Sequence, residues 1–235
     1  MPADALSVAA LILLTISAYG LARGLYRRYR HPLAQPVFLG ASLIITVLLL
    51  SGRGFDNYRS AQDTLGWFLG PVTVALAVPV YKQRARLRAA ALPLACGVAL
   101  GATSTIAAVL VLAALWRVDG SVLPALAVKS VTAPIAIELA RLQGGDPSLA
   151  ATFAIITGTF GAMFGPILLT WCRVTDPVAR GIALGTASHG QGTAAALLEG
   201  ETAGAMSSLA MAGAAVFTAA IAPYYIPALL RLVTR

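Results

Sequence analysis

The sequence predicts an all-α, polytopic membrane protein of about seven or eight transmembrane helices, some broken or re-entrant, with an internal repeat. Of its 235 residues, 58% are hydrophobic and only 11% are charged, whereas a soluble domain has roughly 25% charged residues. The mean hydropathy is +0.81. Apolar stretches long enough to cross a bilayer recur along the chain, and no polar stretch between them is longer than a loop. A separate soluble domain is therefore not expected.

Eight apolar segments are the candidate crossings, since a helix needs about 20 residues to span the hydrocarbon core. They lie at residues 5–22, 33–50, 64–81, 89–116, 122–140, 148–171, 178–198 and 204–230. The count falls to seven if one segment of the second half is re-entrant. We treat 1–235 as one membrane domain, with amino-terminal helices in 1–60 and a transport core in 61–235. No basic region precedes the first segment, so we expect it to stay as an anchor.

Two short loops carry most of the basic side chains in the first half. Loops that stay in the cytoplasm are enriched in lysine and arginine, which predicts an amino terminus outside the cell. The net charge of +8 follows from such loops, and no nucleic-acid partner is expected. The residues are Arg23, Arg27, Arg28 and Arg30 after the first segment, and Lys82, Arg84, Arg86 and Arg88 after the third.

Prolines interrupt the third and fifth segments. Pro71 lies in the third segment, and Pro134 follows the polar stretch 129–133 in the fifth. Val72-Thr73-Val74-Ala75 matches Val131-Thr132-Ala133-Pro134 at an offset of 59 residues (132 minus 73). Paired interruptions of hydrophobic segments point to the binding site of a transporter. We therefore expect helix breaks near both prolines and an internal repeat of unspecified handedness.

Lys129 is the group in the fifth segment that hydrocarbon penalises most. A lysine at the centre of a membrane helix costs about 3 kcal/mol, so it either contacts an anionic substrate or counter-ion, or it snorkels or pairs structurally. Ser130 and Thr132 beside Pro134 either bind a ligand together with a helix amino terminus or satisfy carbonyls that the proline frees. These features favour a small-anion site.

The stretch 181–194 is too rich in glycine and polar side chains to face lipid. His189 has the ordinary pKa of about 6.5 that suits proton coupling, although a structural hydrogen bond is the alternative. Glu138 is the second coupling candidate, or it lies at an aqueous helix end. The predicted substrate-binding residues are Lys129, Ser130, Thr132, Pro134, Pro71, Thr73, His189, Gln191 and Thr193.

The remaining motifs indicate packing and not chemistry. Gly161 with Gly165, and Gly97 with Gly101, are small-xxx-small pairs that let helices approach closely. Cys96 and Cys172 have no metal-ligand spacing and are predicted to be reduced packing residues. No cluster of metal ligands, nucleophile elbow or nucleotide loop is present, so we expect no enzyme, metal or cofactor.

Several stretches together resemble the LrgB/CidB family over nearly the whole chain. They are 70–81, 129–136, 161–166, and 176–181 running into 185–189. Two departures stand out. Gly190 and Gln191 follow the histidine where alanine and an aliphatic residue are usual, and Ala133 stands where threonine is common. The polar side chain of Gln191 puts the ligand preference in question.

This resemblance implies a bacterial inner-membrane protein made alongside a smaller LrgA/CidA-type membrane partner. Bacterial members are labelled antiholin-like or murein-hydrolase regulators, a plant relative is a plastidial glycolate/glycerate translocator, and other members are linked to pyruvate uptake. We expect an alternating-access transporter of small monocarboxylates, with its site between the breaks near Pro71 and Pro134 and the His189 segment as a third wall. The alternative is an antiholin-like regulator of murein hydrolases and cell lysis. The substrate, the coupling ion and a homo-oligomeric state stay open.

Overall fold

The structure, a computed structural model, describes residues 5–29, 31–52, 54–75 and 77–233. These ranges contain helices and no strand, which confirms the predicted all-helical class. A short 3₁₀ turn, Pro32–Ala34, accompanies the following α-helices. They are α1 (Ala5–Tyr29), α2 (Pro36–Leu50), α3 (Phe55–Gly66), α4 (Leu69–Ala75), α5 (Ala77–Lys82), α6 (Arg84–Ala89), α7 (Ala91–Leu115), α8 (Leu123–Ala127), α9 (Ala133–Leu142), α10 (Pro147–Trp171), α11 (Pro177–Glu199) and α12 (Glu201–Val233).

The chain divides into two compact units, Met1–Ala77 and Val78–Arg235. In the first unit, α1 packs against α2 and α3 around Leu11, Leu48 and Ala61. Thr15 and Tyr58 share a hydrogen bond of 2.9 Å between their hydroxyls. This bond joins α1 to α3.

Four helices in the described ranges are long and apolar enough to cross a membrane. They are Val8–Tyr29 in the first unit, and Ala91–Leu115, Pro147–Trp171 and Glu201–Ala228 in the second. The seven or eight crossings expected from hydropathy therefore do not all correspond to long continuous helices. The local structure of α8, α9 and α11 accounts for part of this difference.

Contacts in the second unit place the starts of α7, α11 and α12 and the end of α10 at one end, here called the basic end. Arg86, just before α7, donates from Nη1 to Thr202 Oγ1 at 2.8 Å, at the start of α12. Arg180, in the first turn of α11, donates from Nη1 to the carbonyl oxygen of Val174 at 2.8 Å, just after α10. The other ends of α7 and α10 lie at the opposite end.

The helices α8 and α9 form a re-entrant pair that enters from the opposite end. Residues 128–132 between them are not helical. Pro134, in the first turn of α9, favours a helix start there, because it has no backbone N–H to donate towards the preceding turn. Gly145, just before α10, lies so close to α8 that an added Cβ would be 2.7 Å from Pro124 Cβ. The pair therefore enters and leaves at one end, and the 10 residues of α9 reach about 15 Å, half of the hydrocarbon core.

The helix α11 folds back on itself at Ser188 and His189 and enters from the basic end. His189 has φ 41° and ψ −132°, and Ser188 has φ −130° and ψ 15°. Arg180 Nη2 lies 2.6 Å from Glu199 Oε1, although a continuous helix over those 19 residues would separate them by about 28 Å. α11 is thus a hairpin with arms 177–187 and 190–199.

These two re-entrant elements refine the sequence predictions. The predicted break near Pro134 is present, whereas segments 122–140 and 178–198 are not continuous helices. Pro71 lies in the first turn of α4, after a break at residues 67–68. Thr73 is helical but Thr132 has an extended backbone with φ −62° and ψ 146°. The matched segments offset by 59 residues therefore do not share a backbone structure.

Cysteine labelling tests the opposite entry of the two hairpins. In a background in which Cys96 and Cys172 are replaced by alanine, Thr175→Cys and Glu201→Cys flank α11, and Ser121→Cys lies before α8. A membrane-impermeant maleimide should label Thr175→Cys and Glu201→Cys from the same side of the membrane, because α11 returns to the basic end. It should label Ser121→Cys from the other side, because α8 starts at the opposite end. Labelling of Thr175→Cys and Glu201→Cys from opposite sides would show that α11 crosses the membrane.

Candidate functional site

Small residues of α10 let the tip of the α11 hairpin approach its backbone. A Cβ added at Gly158 would lie 2.5 Å from His189 Cε1, and one added at Gly161 would overlap Ser188 Oγ. A Cβ added at Gly165 would be 2.7 Å from Leu184 Cδ2. The prediction that Gly161 and Gly165 serve helix packing is confirmed, and Gly158 extends the same face.

Hydrogen bonds fix the reversal at His189. Its ring, buried to 6% exposure, donates from Nε2 to the carbonyl oxygen of Ala154 in α10 at 2.8 Å. Thr193 Oγ1 donates to the carbonyl oxygen of His189 at 2.9 Å and lies 3.0 Å from Ser207 Oγ in α12. A φ of 41° is costly for a residue with a Cβ, by about 1–3 kcal/mol. The bonds to α10 and within the hairpin hold this conformation.

The polar stretch between α8 and α9 brings a positive charge towards this tip. Lys129 is half-buried, and Val128 and Val131 on the same stretch share a hydrophobic cluster with Ala154 of α10, whose carbonyl oxygen accepts the His189 hydrogen bond. Its Nζ lies 3.4 Å from Ser130 Oγ, a long hydrogen bond. No carboxylate of the described residues lies within salt-bridge distance of Lys129. Thr132 precedes the first turn of α9 but its side chain does not cap it. Amides at that helix start therefore have no side-chain acceptor from Thr132.

Gln191 lies beside His189 against the same glycine. A Cβ added at Gly158 would be 3.1 Å from Gln191 Cδ and 2.7 Å from His189 Nε2. Gln191 Oε1 is buried, and it accepts no hydrogen bond from any residue that the structure describes. Lys129, His189 and Gln191, on two hairpins, thus form the polar centre of the second unit.

The other predicted site residues lie elsewhere or have partners. Glu138 is exposed on α9, with Oε1 3.9 Å from Arg141 Nη1, and Pro134 is exposed as well. Thr193, predicted to contact substrate, donates to the carbonyl oxygen of His189 and lies 3.0 Å from Ser207 Oγ. Pro71 and Thr73 belong to the first unit, and the side chain of Thr73 is outside the described part of the chain.

A groove of about 830 Å³ separates α7 from the first arm of α11. The packing predicted for Gly97 and Gly101 is confirmed at its floor, where added Cβ atoms would lie 2.7 Å from Ile182 Cγ2 and 3.0 Å from Thr186 Cγ2. Thr186 Oγ1 is buried with no hydrogen-bond partner among the described residues. Cys96 in α7 and Cys172 after α10 are both free and exposed. The prediction that they pack inside the protein is therefore wrong.

An ion pair that the sequence did not reveal closes the open end of the hairpin. Arg180 donates to Glu199 through Nε at 2.8 Å and Nη2 at 2.6 Å, in a bidentate arrangement. The same guanidinium donates to the carbonyl oxygens of Val174 at 2.8 Å and Pro166 at 3.0 Å. The side chains of Arg180 and Glu199 are only 14% and 23% exposed. The sequence does carry a signal for this pair: a segment too polar for lipid begins with a basic residue and ends with an acidic one.

The fold and this site define a class: a polytopic α-helical membrane protein with re-entrant hairpins and a positively charged centre. The chain belongs to the LrgB-like family, whose model matches residues 15–228.

Three proteins with similar sequences carry different names. The uncharacterized protein YxaC of Bacillus subtilis is 36% identical over 91% of this chain and 93% of its own length. The holin-like protein CidB of Staphylococcus aureus is 31% identical, over 94% and 95%. The antiholin-like protein LrgB of Bacillus mycoides is 28% identical, over 92% and 94%. No solved structure matches the chain.

The Arg180–Glu199 pair should contribute measurably to stability. Glu199→Gln removes the charge from a bidentate, mostly buried pair, and hydrogen bonds to charged groups contribute about 1.5–3 kcal/mol, so we expect a loss of about 2 kcal/mol. Glu201→Gln is the matched control, because Glu201 is exposed and only 3.8 Å from Lys82. Denaturant unfolding of the purified protein in detergent measures both. Equal, small losses in the two variants would contradict the role of the pair.

Proposed function

We propose that the protein transports small monocarboxylates, such as pyruvate, glycolate or glycerate, across a bacterial inner membrane by alternating access. The observation that carries this proposal is Lys129, a positive charge at the tip of one hairpin without a described carboxylate partner. The stretch that carries it packs near Ala154, which also binds the tip of the other hairpin. An ammonium inside the bilayer costs about 3 kcal/mol. A carboxylate ligand would offset that cost.

The neighbouring groups favour an anion as well. The start of α9 lies beside Lys129, and the unpaired amides of a helix amino terminus favour negative charge. His189 donates from Nε2 to Ala154, which leaves Nδ1 as the ring atom free to take up a proton. We therefore keep His189 as the coupling candidate in preference to Glu138, which is exposed and beside Arg141.

We infer an inverted internal repeat in the second unit, at a different offset from the one that the sequence suggested. α7 and α10 each have 25 residues and start 56 residues apart (147 minus 91). A re-entrant element follows each, and the two enter from opposite ends. At the same offset Ser130 matches Thr186 and Thr132 matches Ser188. Inverted repeats with broken helices at the midplane are typical of secondary transporters.

The orientation follows from charge. The basic end is next to Lys82, Arg84, Arg86 and Arg88, so we assign it to the cytoplasm. α11 would then enter from the cytoplasm and α8–α9 from outside. The same rule, applied to the basic loop after α1, again predicts an amino terminus outside the cell.

The second candidate function is an antiholin-like regulator of murein hydrolases, acting with an LrgA/CidA-type partner. The names of two relatives, holin-like CidB and antiholin-like LrgB, fit this function better than they fit transport. Both functions are compatible with a homo-oligomeric state. They differ in one property: a transporter saturates with its substrate, whereas a lesion or pore does not.

Uptake into proteoliposomes separates these functions and tests Lys129. The purified protein should take up labelled pyruvate or lactate saturably, and Lys129→Ala should lower that uptake about a hundredfold, because the loss of one partner of a buried charge pair costs roughly 2–5 kcal/mol. Lys82→Ala, which removes an exposed lysine at the basic end, is the matched control.

Two outcomes would count against the proposal. A non-saturating leak of unrelated solutes would favour the pore-forming or regulatory alternative. Normal uptake by Lys129→Ala, with the protein folded by size-exclusion chromatography, would remove Lys129 from the site.

A further inference from the structure

The buried carbonyl oxygen of Gln191 is the observation from which a substrate preference can be inferred. Gln191 Oε1 is an acceptor that receives no hydrogen bond from the described residues. An unpaired buried acceptor costs about 1–3 kcal/mol, and native proteins rarely keep one without a reason. The atom lies in the second arm of the hairpin, two residues after the reversal.

Its neighbours place it in the same polar centre as the proposed carboxylate site. The Gln191 amide and the His189 ring meet the same face of Gly158, and Ala154, which binds His189, shares a hydrophobic cluster with Val128 and Val131 of the stretch that carries Lys129. His189 Nε2 is already bonded to Ala154, and Thr193 Oγ1 already donates to the carbonyl oxygen of His189. Neither of these groups supplies a proton to Gln191.

The missing partner must therefore be a donor. A carboxylate oxygen and a keto oxygen are both acceptors, so neither can pair with Gln191 Oε1. A hydroxyl on the carbon next to the carboxylate can donate to it while the carboxylate faces the ammonium of Lys129. A carboxylate without any second oxygen leaves Gln191 unpaired, as a keto acid does.

We propose that Gln191 is a specificity-determining residue that selects 2-hydroxymonocarboxylates over the corresponding 2-oxo acids. The proposal rests on the transport function proposed above, and it assigns Gln191 the contact with the substrate hydroxyl and Lys129 the contact with the carboxylate. One neutral hydrogen bond, together with the avoided cost of an unpaired acceptor, corresponds to a preference of about tenfold.

Three acids of equal chain length test this preference. Lactate carries the hydroxyl, pyruvate the keto oxygen and propionate neither. In proteoliposomes of the full chain, lactate should compete about tenfold better than pyruvate and propionate for uptake of labelled lactate. Gln191→Leu, of similar size but without the acceptor, should remove the advantage of lactate and leave propionate unchanged or improved. Gln143→Leu, the same substitution at the end of α9, should keep the wild-type ranking.

A binding measurement makes the test independent of turnover. Thermal stabilisation of the detergent-purified protein by each acid should follow the same ranking in the wild type, and the ranking should disappear in Gln191→Leu. Saturable uptake with equal preference for lactate and pyruvate, or a ranking that Gln191→Leu does not change, would overturn the role of Gln191 while the transport proposal stands. If none of the three acids is taken up or bound, the transport proposal itself is overturned.

Discussion

The reversal of α11 at Ser188 and His189 is the constraint on which the second unit depends. It places a residue with φ 41° inside the protein, and a buried hydrogen bond from His189 to Ala154 holds it there. A straight α11 would expose glycines, hydroxyls and an imidazole to lipid, which offers them no partners. The hairpin instead packs both arms against α10 and α12, through Gly158 and Gly161 on one side and the Thr193–Ser207 contact on the other. The Arg180–Glu199 pair closes its open end.

This arrangement brings polar groups together where neither hairpin alone would hold them. Each hairpin arm is about half as long as the hydrocarbon core is thick, and both tips lie near Ala154 of α10, through Val128 and Val131 on one side and His189 on the other. The tip between α8 and α9 contributes Lys129, and the tip of α11 contributes His189 and Gln191. A positive charge and a buried acceptor are the features from which we infer a site for a small anion that also donates a hydrogen bond. Names of relatives point towards holin-like functions, and the geometry of these tips is the reason to favour a substrate site.

Much of this could be predicted from the sequence, and the remainder has physical reasons. Composition and hydropathy predicted the all-helical membrane class, and Pro134 marked the interruption beside Lys129, because proline removes a backbone donor and disfavours helix in the residue before it. The reversal of α11 has no proline. Its only signal was the excess of glycine and polar side chains, which excludes lipid contact but does not locate a turn. Two consecutive helical arms that each reach half-way across the membrane form one apolar segment of spanning length. Hydropathy therefore counts such a pair as one crossing. The internal repeat at an offset of 59 residues stays a prediction; the match of four residues on which it rests pairs Thr73, which is helical, with Thr132, which is extended.

A distance measured across the two arms of α11 tests the central claim most directly. Spin labels at Ala179→Cys and Leu198→Cys, in a background without the native cysteines, flank the Arg180–Glu199 pair, and pulsed electron paramagnetic resonance on the protein in lipid gives their separation. The hairpin predicts a distribution well below the roughly 28 Å that 19 residues of continuous helix would span. A distribution centred at or above that length would show that α11 runs straight through the membrane and would contradict the account.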